Sequence, residues 1–303
     1  SQVEALVAQE VATGPILVLT WNVLAPVYFR GDGNGVEALQ PEHFLARNDR
    51  ILAAIAESKA DVVCLQEHWF SPVLMKLYND RLSALGFKYE ALRRTARNCD
   101  GRTEDGIAIF VREASLKIVR KHEVKFHDYG IPQDRVALVL TLEDVRHGVA
   151  PEKEFAVMCT HLTYPHSAYD VEARRRQIGA CLKAAHAHLP DGMPVVVAGD
   201  LNGPSDDNVA SHLKGQGYLS AWDAVHGRAC SITHTDHRGN AFASDHIWTR
   251  GGLRPQRAVL LPEHVPDDRP LLRPTVGGVS GRQLLGKMEP VHSQPFEDWC
   301  ELS

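Results

Sequence analysis

MPVVVAGDLNG, residues 193–203, is an apolar run that stops abruptly on Gly199, Asp200 and Asn202. Its valine content and the turn residues that bound it predict a strand buried on both faces, as in the parallel part of a sheet. Three other stretches repeat the pattern. ILVLTWN, residues 16–22, ends on Asn22; DVVCLQE, residues 61–67, ends on Glu67; EFAVMCTH, residues 154–161, ends on His161. Taken singly, each polar terminus has a plain explanation. Asn22 would cap a turn, Glu67 would mark an exposed strand end, His161 would be a hydrogen-bonded core histidine, and residues 200–203 would form a bend. Together they describe polar groups displayed at the carboxyl ends of buried strands, where a cleft opens above a sheet.

The rest of the chain supplies the layers around these strands. Residues 43–57 place Phe44, Leu45, Ile51, Leu52 and Ile55 at helical spacing, residues 72–85 do the same until Gly86, and residues 170–188 form a third helix. Residues 106–112, 116–126, 135–142 and 154–161 are strands with short connections, which predicts an antiparallel meander. Later strands are expected at 244–249 and 257–261, followed by a long loop over the Pro-, Gly- and Arg-rich residues 262–293. No Ser/Gly linker or internal repeat divides the chain. About five strands in each half suit one domain over residues 1–303: an α/β fold of two packed mixed sheets with helices outside them, a four-layer α/β sandwich.

At 44% apolar and 23% charged residues, the chain of 303 can bury a sizeable core, which excludes wholesale disorder, a collagen-like repeat and a coiled coil. No apolar run approaches the ~20 residues of a membrane helix. The first dozen residues hold Glu4 and Glu10 and no basic cluster, so no secretory signal is expected, and a start on Ser1 reads as a processed or shortened form. The six cysteines form no C-x-x-C pair, and Cys64, Cys159 and Cys181 fall in apolar patterns. They read as reduced core thiols of an intracellular, cytoplasmic protein, with an organelle left open. A net charge of −5 argues against broad coating of nucleic acid but not against a local site neutralised by a metal ion.

The strand-end inventory points to phosphate-ester hydrolysis. A hard cation such as Mg²⁺, with Mn²⁺ as a substitute, takes oxygen ligands and often only one or two carboxylates. Glu67 supplies a carboxylate, and Asn22 an amide oxygen for the metal or a donor to phosphate. His161 offers a donor to a phosphoryl oxygen or an acid for the leaving oxygen. Asp200 accepts a proton from water or orients it, and Asn202 donates to the anionic oxygens. No G-x-S-x-G elbow, G-x-G-x-x-G turn or P-loop competes.

These motifs, in this order, resemble the endonuclease/exonuclease/phosphatase superfamily, the Mg²⁺-dependent fold of DNase I, abasic-site endonucleases and inositol phosphatases. The resemblance runs from about residue 16 to about residue 262. Within it, Thr20-Trp21-Asn22-Val23-Leu24-Ala25 and the segment from Glu104 to Phe110 are similar to carbon catabolite repressor-type deadenylases and nocturnin. Residues 126–137, with Asp134-Arg135-Val136-Ala137, and residues 237–248 are similar to a plant and algal branch that also carries EF-hands, although no D-x-D-x-D-G loop lies in this chain. The resemblance implies a metal-dependent 3′-exoribonuclease or deadenylase acting on single-stranded RNA. The alternatives are a phospholipid or phosphorylated-metabolite phosphoesterase, or a catalytically impaired binding module of the same fold.

The family carries two late acidic positions. Ser244-Asp245-His246 is superficially like the terminal Ser-Asp-His, but Ile247-Trp248 follows it and a long stretch is still to come. Asp245 is therefore assigned to the penultimate catalytic position. Residues 299–303 then read as the lead-in to a terminal triplet, so the resemblance implies a domain cut short at its C-terminus, with hydrolysis severely impaired if the cut is real. A zinc site from His234, Asp236, His237 and His246 matches no common spacing, and a polar turn is the expected reading. Arg93, Arg94, Arg97 and Arg102 form a basic loop by the expected cleft, Arg174, Arg175 and Arg176 are expected on an exposed helix face, and Trp69, Tyr164 and Trp248 are candidates for base stacking.

Overall fold

Apolar runs rich in β-branched residues form the strands, and the segments of helical period form the helices that cover them. The structure, a computed structural model, describes residues 15–29, 37–95, 105–147, 154–230, 232–235, 241–261 and 283–290. In chain order the elements are β1 (Ile16–Asn22), α1 (Pro41–Ser58), β2 (Val62–Trp69), α2 (Pro72–Ser83), β3 (Phe87–Arg93), β4 (Asp105–Arg112), β5 (Leu116–Lys125), β6 (Val136–Asp144), β7 (Glu154–His161) and α3 (Ala168–His188). There follow β8 (Val195–Asp200), α4 (Asn208–Gly215), β9 (Leu219–Ser220), α5 (Ala221–His226), β10 (His234–Thr235), β11 (Ala241–Phe242), β12 (Asp245–Arg250), β13 (Leu253–Leu261) and β14 (Gln283–Pro290).

Two six-stranded sheets result, in the orders β13-β14-β1-β2-β4-β3 and β5-β6-β7-β8-β12-β9. Each is mixed: β1 and β2 run parallel in the first, β7 and β8 in the second, and the other described pairings are antiparallel. Alternation along each strand divides its side chains between two cores. Cys64 on β2 points between the sheets with Val18, Ile109, Leu138, Val157, Ala198 and Ile247. Its neighbours Val63 and Leu65 point outward, against Ile51 and Ile55 of α1 and Tyr78 and Leu82 of α2. On the far side, Met158 and Val197 pack against Ile178, Cys181 and Ala184 of α3 and Leu213 of α4. This is the expected four-layer α/β sandwich.

The meander is narrower than expected. β5, β6 and β7 form it, but β4 pairs with β2 and β3 in the first sheet, so the chain changes sheets at the turn between β4 and β5. The loop expected over 262–293 contains β14, paired to β1 and β13; its Gly286 and Pro290 disguise a strand as loop composition. Arg174 is also not exposed. It is buried within α3, donating Nε–H to Leu201 O at 3.0 Å and pairing with Asp207, and so supports the turn after β8.

Cys64, Cys159, Cys181 and Cys230 are buried free thiols. A hydrogen bond to Cys159, then burial, holds Cys64 well above the usual thiol range, while burial pushes Cys181 up to about 12. Cys99 and Cys300 lie outside the described residues, as do Arg97, Arg102, Asp236 and His237. No described helix is long and apolar enough to cross a membrane.

Candidate active site

One end of the two sheets collects the polar termini. Strands running toward that end deliver Asn22, His161 and Asp200 as their last residues and Glu67 near the end of β2, whereas antiparallel strands deliver their first, Asp105 of β4 and Asp245 of β12. Registers set these positions: His161 lies beside Asp200 across the β7–β8 pair, and Asp245 beside Asp200 across β8–β12. Glu67 is the extra residue of a bulge, because Gln66 pairs with Ile107 and His68 already with Gly106. Bulges re-aim a side chain.

Backbone strain concentrates here. Leu24, Glu67 and Asn202 adopt φ of 53°, 56° and 55°; the remaining described non-glycine residue at positive φ, Lys59, closes α1. Such conformations cost about 1–3 kcal/mol each and persist where the surroundings enforce them. The surroundings are visible. Arg47 of α1 donates to Val23 O at 2.6 Å and Leu24 O at 2.7 Å while paired with the buried Glu37.

Asn22 spans the sheets. Its amide N–H₂ donates to Glu67 Oε1 at 3.1 Å and to Asp200 Oδ2 at 2.9 Å, and its oxygen accepts from Leu24 N–H at 3.0 Å. Of the two expected metal ligands, Asn22 is thus engaged as a donor between carboxylates, and Glu67 carries the charge. Glu67 Oε2 accepts from Ala25 N–H at 3.0 Å. Asp200 Oδ1 accepts from Asn202 N–H at 2.9 Å, and the Asn202 side chain donates to Leu162 O at 2.8 Å. Asp245 Oδ2 accepts from Ser244 Oγ at 3.1 Å, but its Oδ1 is buried with no hydrogen-bond partner. His161, Asp200, Asn202 and Asp245 are all buried.

Carboxylates crowd this end. Burial, then Asp105, raises the Glu67 carboxyl above its ordinary range; burial, then Asp200, raises that of Asp245 well above its own. His161 is held well below the usual histidine range by burial, then by Arg135. A second network lines the adjoining pocket, formed by Arg94, Asp105, Gly106, Ile107, Arg135, Val136 and His161. Asp105 Oδ1 accepts from Tyr28 Oη at 2.7 Å and from Arg94 at 3.2 Å, and Arg94 also reaches Asp134 at 2.9 Å. Asp105 Oδ2 is a second buried oxygen without a partner.

Asp105, Arg135 and Tyr28 were not among the expected site residues, and Arg94 was expected only within a basic loop beside the cleft. Polar residues that follow apolar strands stand out in the sequence, whereas Asp105 and Arg135 come before theirs. In a mixed sheet, the same rule must be read in both directions. Of the stacking candidates, Trp248 and Trp69 are buried in cores, while Tyr164 is exposed just after β7, its ring 4.7 Å from that of His166. His246 is buried and donates from Nε2 to Gly203 O at 2.7 Å, which leaves it away from Asp245. Arg94 is spent on Asp105 and Asp134, and Arg93 lies over Phe70 at 4.9 Å.

The two sheets of the four-layer sandwich thus bring acidic, Asn- and His-bearing strand residues together at one end. The chain belongs to the endonuclease/exonuclease/phosphatase family, whose model matches residues 19–280. It is 31% identical over 261 residues to an uncharacterized calcium-binding protein of Arabidopsis thaliana, covering 80% of this chain and 52% of that one. It is 28% identical over 211 residues to human nocturnin, covering 66% and 46%. The chain thus spans about half the length of the curated relatives it matches. Among solved structures, the human nocturnin catalytic domain with bound sulfate superposes with a TM-score of 0.70 at 22% identity, over 92% of this chain and 94% of that one. ANGEL2, described as a 2′,3′-cyclic phosphatase in complex with adenosine-2′,3′-vanadate, superposes at 0.69 and 21% identity, over 91% and 95%.

Among the described residues no three His, Cys, Asp or Glu side chains form a ready-made metal cage. The donor set nonetheless fits a hard divalent ion, which needs one or two carboxylates and keeps its waters. Asp245 Oδ1 is an orphaned buried acceptor, and the Glu67 and Asp245 carboxyls are raised through burial and like charge. A cation relieves both conditions.

Proposed function

We propose that the chain is a metal-dependent phosphoesterase that hydrolyses phosphodiester bonds, acting as a 3′-exoribonuclease of the deadenylase kind on single-stranded RNA. The observation that carries the chemistry is the Glu67–Asn22–Asp200 chain, which links a carboxylate of one sheet to a carboxylate of the other. Relatives named nocturnin and carbon catabolite repressor protein 4 homolog 1 support the RNA reading.

Glu67, together with Asp245, would hold Mg²⁺ or Mn²⁺, and Asn22 would orient the Glu67 carboxylate. Such an ion supplies charge neutralisation on the non-bridging oxygens and polarises the phosphorus–oxygen bond. Attack of water on phosphorus breaks the bond to the leaving oxygen, which takes its proton from solvent, while Asp200 accepts the proton of the attacking water, its Oδ1 fixed by Asn202 N–H and its Oδ2 by Asn22. His161 and Asn202 face the phosphoryl oxygens. The buried free thiols support a reducing, intracellular setting.

The test is hydrolysis of 3′-labelled poly(A), mixed-sequence RNA and a phosphodiester chromogen, with Mg²⁺ or EDTA, for the chain and for Glu67→Ala. Metal-dependent loss from the RNA 3′ end, abolished in Glu67→Ala, is the expected result. Activity on the chromogen alone would redirect the reading to a lipid or metabolite phosphoester. Silence on every substrate would leave a binding module.

A further inference from the structure

Arg135, just ahead of β6, and His161, the last residue of β7, meet beside Arg94 and Asp105. Arg135 Nη1 lies 2.7 Å from His161 Nδ1. A guanidinium carries donors only, so the nitrogen it meets must offer a lone pair. The ring proton then belongs on Nε2, the atom 3.5 Å from Asp200 Oδ2. That spacing is beyond a strong hydrogen bond, so the Nε2–H lies near Asp200 and keeps its capacity to donate.

Resting on the phosphoesterase reading, we propose that Arg135 is a positioning residue that locks His161 as the neutral Nε2–H tautomer, making it a fixed hydrogen-bond donor to a phosphoryl oxygen rather than an acid or a base. The more usual partner of a working histidine is a carboxylate, which steadies an imidazolium as it forms. Here a cation occupies that place. A second proton on Nδ1 would have to displace the guanidinium, so His161 can neither collect a proton from water nor hold one ready for a leaving group. Proton acceptance falls to Asp200, and His161 supplies only direction. The arrangement gives a donor that needs no reorganisation when charge develops on the phosphoryl oxygens.

The tautomer can be read on the protein itself by long-range ¹H–¹⁵N correlation with ¹⁵N-labelled histidine at about pH 7, near where free histidine titrates. The His161 signals are identified by their loss in His161→Gln. A pyridine-type Nδ1 and a protonated Nε2 are expected, with the bias lost in Arg135→Met. A protonated Nδ1, or an imidazolium, would overturn the proposal whether or not the variants fold. Activity supplies the second arm. An amide can donate where Nε2–H did, so His161→Gln should retain turnover within about tenfold, while His161→Ala loses about 10²-fold or more, the usual effect of deleting one preorganised donor. Equal losses in both would overturn the donor role. If the tautomer is as expected but no phosphoester is cleaved, the catalytic half falls with the phosphoesterase reading. If cleavage occurs with the opposite tautomer, only the present proposal fails.

Discussion

Asp245 shows what the role proposed for it costs the fold that carries it. Its carboxyl is buried, one oxygen lacks a partner, and Asp200 lies beside it in register. Burial and that neighbour raise its pKa, as burial and Asp105 raise that of Glu67. A carboxyl whose folded pKa exceeds its unfolded value stabilises the fold below the ordinary carboxylate range, about 4, and loses that contribution as pH rises through the folded value. The metal-free protein should therefore lose stability from this cluster as pH rises from about 4 toward neutrality. Asp245→Asn removes the charge while keeping an oxygen for Ser244. It should raise the Tm of metal-free protein near neutral pH, by a margin that narrows on acidification, while abolishing hydrolysis. Thermal scans of both proteins across that range decide the matter; a less stable asparagine variant at neutral pH would mean that the charge is already compensated.

At the scale of elements, two devices hold the site in shape. Gly199 is one. A Cβ there would lie 1.9 Å from Thr160 O on the paired strand β7, so Gly199→Ala must part β7 from β8 where His161 and Asp200 are in register. Overpacking of this kind costs about 1–3 kcal/mol, and activity should fall further than stability. Urea midpoints and initial rates measure the two separately. Arg47 is the other, a buried cation that ties α1 to the strained turn after β1. Arg47→Met leaves Glu37 buried and unpaired, at a cost of about 3–5 kcal/mol; adding Glu37→Gln should recover part of it, and a midpoint unchanged by the single substitution would refute the clamp.

These elements also show how much the sequence disclosed. The helices at 41–58, 72–83 and 168–188 and the strands β1, β2, β7 and β8 were legible because burial writes a period into their residues. β9 and β11, of two residues each, are too short to carry one, and β14 breaks its pattern with Gly286. Glu67, His161, Asp200 and Asn202 were legible as polar stops on apolar runs. Asp105 and Arg135 were not, since their place beside these residues depends on strand direction, which pairing fixes. Arg174 read as exposed within Arg174-Arg175-Arg176; only the tertiary contact with Leu201 and Asp207 accounts for its burial.

Across the whole molecule the site belongs to neither sheet. Asn22, Glu67 and Asp105 come from the first, His161, Asp200 and Asp245 from the second, and the hydrogen bond from Asn22 to Asp200 crosses between them. Below it the sheets meet largely through apolar side chains such as Val18, Leu138 and Val157, which resist separation but give little direction, with Gln66 Nε2–H donating to Cys159 Sγ at 3.3 Å among them. A divalent ion held by Glu67 and Asp245 together would add a directional link at the open end of that core. An ion that binds only the folded state stabilises it by about 2.7 kcal/mol at a hundred times its Kd. Mg²⁺ at such concentrations should therefore raise the Tm by several degrees and EDTA should reverse it. The two ligands separate the possibilities. If the ion spans the sheets, Glu67→Ala and Asp245→Asn each remove most of the shift. If Glu67 holds it alone, Asp245→Asn keeps the full shift. A shift that survives Glu67→Ala would place the ion elsewhere and remove Glu67 from the chemistry proposed for it.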